Sequence, residues 1–142
     1  GGIAGTETAA SQSNPTTNQT IVDAGLADRC VSGSGEGPTT MLRGFILRNG
    51  YADGMDVWGG GILLESSSAM IVQCVFENNR ASHFGAGAAV KGAGSPEFIN
   101  CTFHNNGTGS GTTATPYGGG GVYVESGTPK LTNCLFVDNV AG

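Results

Sequence analysis

The chain is short of charge. Of its 142 residues only 12% are Asp, Glu, Lys or Arg, about half the share found in a typical globular domain. Six are basic and eleven acidic, which leaves a formal net charge of −5 at pH 7. So few cations cannot neutralise a run of phosphates, which disfavours nucleic acid and an anionic membrane surface as partners. Low charge also argues against intrinsic disorder, which comes with high net charge and few apolar side chains. Proline is scarce, at five, and glycine does not fall at every third position, so a collagen triple helix is excluded. Nowhere do 18 or more apolar residues run together, so no segment reads as a membrane-spanning helix. The first residues have neither the basic nor the apolar region of a signal peptide. With no initiator Met, the chain reads as a mature piece or an excised fragment. Four cysteines are too few for a disulfide-dense scaffold of this length.

What the chain has in excess is glycine, 26 residues, and its placement is periodic. Three segments superimpose: GGGILLESSSAMIVQCVFENN (59–79), GAGAAVKGAGSPEFINCTFHNN (85–106) and GGGVYVESGTPKLTNCLFVDN (119–139). Each begins with a glycine cluster and a short alternating run. A small-residue turn and a second apolar run follow, and then Cys-x-Phe-x-x-Asn. The cysteines Cys74, Cys101 and Cys134 stand 27 and 33 residues apart. A degenerate fourth copy lies upstream at 41–49, with Gly44 at the Cys position, Ile46 at the Phe position and Asn49 at the Asn position. Its first strand is expected near Cys30 and Val31, preceded by a run from Thr20 to Asp23. Residues 1–19 lack periodicity and read as a loop or frayed end.

The runs are too short for helices and too rich in β-branched and aromatic residues, and glycine punctuates their borders. Strands recurring at this period form a β-solenoid, in which each repeat is one coil and neighbouring coils pair in parallel about 4.8 Å apart. The expected fold is therefore all-β, a solenoid of about four coils (20–58, 59–84, 85–117 and 118–142) within a longer one. Stacking makes columns. Phe76, Phe103 and Phe136 are expected inside, with Ile46 below them, beside a second column of Met41, Ile71, Phe98 and Leu131. Asn49, Asn79, Asn106 and Asn139 are expected to form an asparagine ladder at a corner, pairing turn amides that would otherwise be buried unbonded. Cys74, Cys101 and Cys134 share an inward column and are expected as free thiols, because side chains in a parallel stack point the same way and bridge poorly. Cys30 maps to another side.

These residues resemble the right-handed parallel β-helix, the superfold of pectate lyases and many bacterial surface proteins. Gly-Gly-Gly-Ile followed by Phe-x-x-Asn is similar in particular to the repeats of chlamydial polymorphic outer-membrane proteins. The second half matches literally at Phe76 to Asn79, Phe103 to Asn106 and Phe136 to Asn139; the first is looser in the copy Gly85-Ala86-Gly87-Ala88. The likeness covers 20–142. It implies a bacterial, extracellular or cell-surface setting, but a fold shared by lyases, adhesins and spacers does not itself name an activity.

The residues carry little chemistry. Glu65, Lys91 and Glu125 share one outward phase and read as a surface column of alternating charge. Asp53 and Asp56, in the loop 51–56, offer two carboxylates, a sparse set for a calcium ion; otherwise no metal and no cofactor is expected. No lyase motif reaches Arg43 or Arg48, and His83 and His104 lie at different phases. Three sequons, at Asn18, Asn100 and Asn106, are short enough to arise by chance. Outward apolar residues are more informative. Val75 and Leu135, with Thr102 between them and Phe45 below, and Leu63 and Tyr123, flanking Ala89, point away from the interior, near Trp58, Val57 and Met55. Such patches mark interaction surfaces unless loops such as 107–117 cover them. The expected function is a non-enzymatic structural or adhesive module of a secreted or cell-surface protein. Its expected partners are neighbouring coils, other subunits, or a cell-surface glycan or protein. The alternatives are a lyase or glycosidase fragment and a glycan-binding module using Trp58, Tyr51, Tyr117 or Tyr123.

Overall fold

Short strands separated by sharp corners are what the alternating runs produce. The computed structural model describes residues 14, 17–54, 58–109 and 118–142. A first strand, β1 (Thr20–Asp23), precedes four coils of four strands each. The first coil holds β2 (Val31–Ser34), β3 (Met41–Arg43), β4 (Phe45–Arg48) and β5 (Tyr51–Ala52). The second holds β6 (Ile62–Glu65), β7 (Met70–Val72), β8 (Val75–Glu77) and β9 (Arg80–Ala81). The third holds β10 (Ala88–Lys91), β11 (Glu97–Ile99), β12 (Thr102–His104) and β13 (Gly107–Thr108). The fourth holds β14 (Val122–Val124), β15 (Lys130–Thr132), β16 (Leu135–Val137) and β17 (Val140–Ala141). No helix among the described residues is long and apolar enough to cross a membrane.

Equivalent strands stack in parallel into four sheets: β2-β6-β10-β14, β3-β7-β11-β15, β1-β4-β8-β12-β16 and β5-β9-β13-β17. The fold is thus the expected all-β solenoid of about four coils. The fourth sheet, of two-residue strands, was not foreseen, because a two-residue run has no periodicity to detect. Left-handed residues make the corners on either side of the third sheet. One column is Gly44, Gln73, Asn100 and Asn133 (φ 71, 53, 53 and 50°), and the other is Asn49, Asn78, Asn105 and Asp138 (φ 53, 56, 52 and 52°). Asn and Asp are among the few non-glycine residues that adopt this conformation readily, which is why they recur here.

The register corrects the first coil by one residue. Leu47, not Ile46, pairs with Phe76, and Leu42, not Met41, pairs with Ile71. Phe45 therefore faces the core at the Cys74 rung, while Ile46 joins the outer column with Val75. Asn49 is not a rung of the inner ladder either. It matches the left-handed Asn78, and Gly50 occupies the inward rung below Asn79. The slip arises from the Asn-Asn pairs of the repeat. The first Asn turns the corner and the second points inward, and the degenerate copy retains only the first.

The interior is one continuous apolar core, with Leu47, Ile62, Ile71, Phe76, Val90, Phe98 and Phe103 all at most 1% exposed. Burial of each such side chain contributes about 1.5–3 kcal/mol. In the last coil Leu131, Leu135, Phe136 and Val140 are exposed.

Candidate functional site

The second asparagine of each pair lies inside the corner between the third and fourth sheets. Asn106 Nδ2 donates to Asn139 Oδ1 at 2.8 Å and to the Phe76 carbonyl at 2.9 Å, and the Asn106 backbone N–H donates to the same Asn139 Oδ1 at 3.1 Å. Asn79 repeats the pattern one rung below, donating to Asn106 Oδ1 and to the Leu47 carbonyl, each at 3.0 Å. Gly50 N–H donates to Asn79 Oδ1 at 2.8 Å and ends the ladder. Each amide thus bonds the backbone and its neighbour amide, so Asn79 and Asn106 are buried yet fully paired. Beside them the rings of Phe76, Phe103 and Phe136 stack face to face, with centroids 4.6 and 4.8 Å apart and planes 6° and 4° from parallel.

The cysteines are all free. Cys74, Cys101 and Cys134 lie in one column, and each thiol donates to a carbonyl of the preceding coil, at Leu42, Ile71 and Phe98. Burial pushes the Cys101 thiol up to about 12 and the Cys30 thiol up to about 11, and it raises Cys74 as well. Thiols held protonated in this way are poor nucleophiles and poor metal ligands. Cys30 lies apart from this column, with its thiol against the Arg48 carbonyl at 3.3 Å and Asn79 Oδ1 at 3.7 Å.

The outer faces differ from one another. On the first sheet Leu63 is 5% exposed and Ala89 fully buried, so Leu63 is not an open contact surface. Trp58, Phe84 and Tyr123 form a cluster on this side, with Trp58–Phe84 and Phe84–Tyr123 centroids both 4.6 Å apart. Phe84 was not singled out in the sequence; its parallel bridge to Trp58 places it in the same column. Lys91 Nζ lies 3.2 Å from Glu65 and 5.6 Å from the Trp58 ring centroid, so the charge column also holds the aromatic cluster.

On the third sheet Ile46, Val75 and Thr102 are half-buried and Leu135 exposed, forming an apolar outer column. Beside it Arg48 pairs with Asp23 at 2.7 Å and approaches Glu77 at 4.0 Å. The Asn49 amide, followed by Arg48, holds the Asp23 carboxyl below its ordinary value. Second ladders run outside the corners, from Asn105 to Asn78 and from Asn133 to Asn100, each at 2.7 Å. The doubled Asn in the repeat was the signal for the first of these. Of the sequon residues, Asn100 is exposed and Asn106 buried in the inner ladder.

On the fourth sheet a groove of about 490 Å³ crosses the strands, lined among others by Tyr51, Asn78, Arg80, Asn105, Gly107 and Val140. Tyr51 Oη donates to Asp53 at 3.0 Å, and Ser82 Oγ donates to the other oxygen of the same carboxylate. These bonds, with Ser82 foremost, hold the Asp53 carboxyl below its ordinary value. Asp53 is therefore engaged by a hydroxyl and a phenol; Asp56, Met55, Val57 and Tyr117 lie outside the described residues. Among the described residues no three His, Cys, Asp or Glu side chains converge to hold a metal ion.

A family model described as a right handed beta helix region matches residues 30–142. No curated protein and no solved structure matches the chain.

Proposed function

Because the chain belongs to the right-handed β-helix family, we propose that it is a non-enzymatic structural or adhesive module, a rigid section that holds surfaces at a fixed spacing. The observation that carries this reading is the continuity of its stacks. The Asn79–Asn106–Asn139 ladder and the Phe76–Phe103–Phe136 stack run unbroken through successive coils and lock each rung to the next. Dense satisfied polar networks of this kind rigidify a core.

The likeness of the repeats to chlamydial polymorphic outer-membrane proteins supports a secreted or cell-surface protein of bacterial type. The partners proposed are neighbouring coils or another subunit over the last coil, where Leu135, Phe136 and Val140 are 56%, 46% and 62% exposed. A further candidate is a surface glycan or protein on the outer faces. Exposed apolar surface of this extent is a typical contact site.

Two measurements test the proposal. Incubation with acidic polysaccharides and calcium, followed by the absorbance of unsaturated uronate, is expected to show no turnover; measurable turnover overturns the non-enzymatic reading. Protease shaving of intact producing cells is expected to remove the chain, and full protection inside them overturns the surface assignment.

A further inference from the structure

The outer column of the fourth sheet has a gap. In register it reads Tyr51, Arg80, Gly107 and Val140. A Cβ placed on Gly107 would meet nothing within 4 Å, so the bare peptide floors a notch between Arg80 and Val140. The Arg80 guanidinium is exposed and has no hydrogen bond or ion pair among the described residues. At the corner beside it, Asn105 Nδ2 donates to Asn78 Oδ1. That single bond leaves Asn78 Nδ2 to donate and Asn105 Oδ1 to accept. At the other end the Tyr51 ring is fixed by its phenol bond to Asp53, which Ser82 anchors.

A fixed aromatic face, two planar amides with open valences and a guanidinium fork unpaired among the described residues match one kind of ligand. Sugar rings offer apolar C–H faces to an aromatic ring and pairs of adjacent hydroxyls to planar bidentate groups. The lining crosses successive rungs about 4.8 Å apart, which favours an extended chain lying across the strands. Charge selects within that class. Arg80 is the one cation lining the groove, and Asp28, Asp53 and Arg29 line the adjoining recess beside Leu26 and Tyr51, so the two linings together carry no net charge in a chain of net charge −5. A polyanion finds no net positive charge there to hold it, on a chain that is itself negative.

We propose that this groove binds a neutral linear glycan, with Tyr51 stacking on a sugar face, and Arg80, Asn78 and Asn105 bonding its hydroxyls over Gly107. The groove volume falls within the usual range of ligand sites. The assignment goes beyond the scaffold reading, which stands or falls on turnover and location instead.

The test titrates the chain with hexasaccharides of β-linked glucose, mannose and N-acetylglucosamine, and with hexagalacturonate, observing backbone amide shifts by NMR. Gly107→Val fills the notch where space is open, and Arg80→Ala removes the fork; melting temperatures check that both variants fold. At least one neutral hexasaccharide is expected to bind and to shift the amides of Tyr51, Arg80 and Gly107. Its affinity is expected to fall about tenfold in each variant, with melting unchanged by Arg80→Ala. Three results each overturn the proposal: no neutral hexasaccharide binds, both variants bind it as tightly as the parent chain, or hexagalacturonate binds more tightly than every neutral sugar.

Discussion

The Cys30 thiol lies 3.7 Å from Asn79 Oδ1, on a rung that glycine occupies in every later coil, at Gly61, Gly87 and Gly121. The later coils need glycine because a Cβ on Gly61 would fall 2.3 Å from the Gly87 carbonyl and 3.0 Å from both Asn79 Nδ2 and Phe76 Cδ1. The first coil has Leu47 for that Phe and Gly50 for that Asn, so the space is vacant and Cys30 fills it. Three departures from the repeat are thus one packing solution.

This compensation predicts coupling between Leu47 and Cys30. Leu47→Phe alone overpacks the first coil and should destabilise by about 1–3 kcal/mol. Combined with Cys30→Gly, the new ring can stack on Phe76, and much of that loss should be recovered. A double-mutant cycle by urea denaturation measures it. Additive losses would show that the two sites do not share the space.

The two kinds of asparagine should respond differently. Asn106→Ala removes the acceptor of the Asn79 N–H and the donor to the Phe76 carbonyl, both buried, and should cost on the order of 3 kcal/mol. Asn49→Gly removes only a bond to the exposed Asp23 and keeps a residue suited to φ 53°. Its midpoint in urea should stay within about 0.5 kcal/mol of the parent.

Two glycines of one coil make an opposing pair. A Cβ on Gly87 would fall 2.4 Å from the Gly121 carbonyl and 2.9 Å from the Phe103 ring, so Gly87→Ala should lower the melting temperature sharply. Gly107→Ala adds a methyl to open space on a strand and should raise stability by about 0.5–1 kcal/mol through reduced freedom of the unfolded chain. Equal effects in calorimetry would contradict the packing described.

Alkaline pH should unfold the protein through its thiols. A thiol ordinarily ionises near 9.0, whereas folding raises Cys30 to about 11 and Cys101 to about 12. Above 9.0 the unfolded chain therefore binds fewer protons than the folded one. The stability from these thiols is complete below that pH and is lost as pH rises toward 12. Melting temperature should fall with pH in this window, with a shallower slope in Cys101→Ala. An unchanged slope would assign the alkaline loss to other groups.

Much of this architecture was legible in the repeat, because three near-identical copies put Phe76, Phe103 and Phe136 and their neighbouring Cys and Asn residues at fixed phase. The first coil was misread by one residue for a physical reason. A left-handed Asn or Asp and an inward Asn are adjacent in the later coils, and only a glycine marks the inward rung in the first. Leu63 was read as outward, correctly by strand parity. It is nevertheless only 5% exposed, on the sheet whose outer side also carries the Trp58, Phe84 and Tyr123 cluster. The groove was not legible either, since Tyr51, Arg80 and Gly107 are far apart in the chain and meet only in register.

The sequence by itself determined the strand period, the inward columns and the solenoid, since these follow from local alternation repeated at one phase. Only the tertiary structure decided which rung each residue of the irregular first coil occupies, which outer side chains are covered, and where Arg80, unpaired among the described residues, faces an open notch. Those outcomes depend on the lateral stacking of coils, where a single missing Cβ in one coil creates or closes space for a side chain in the next.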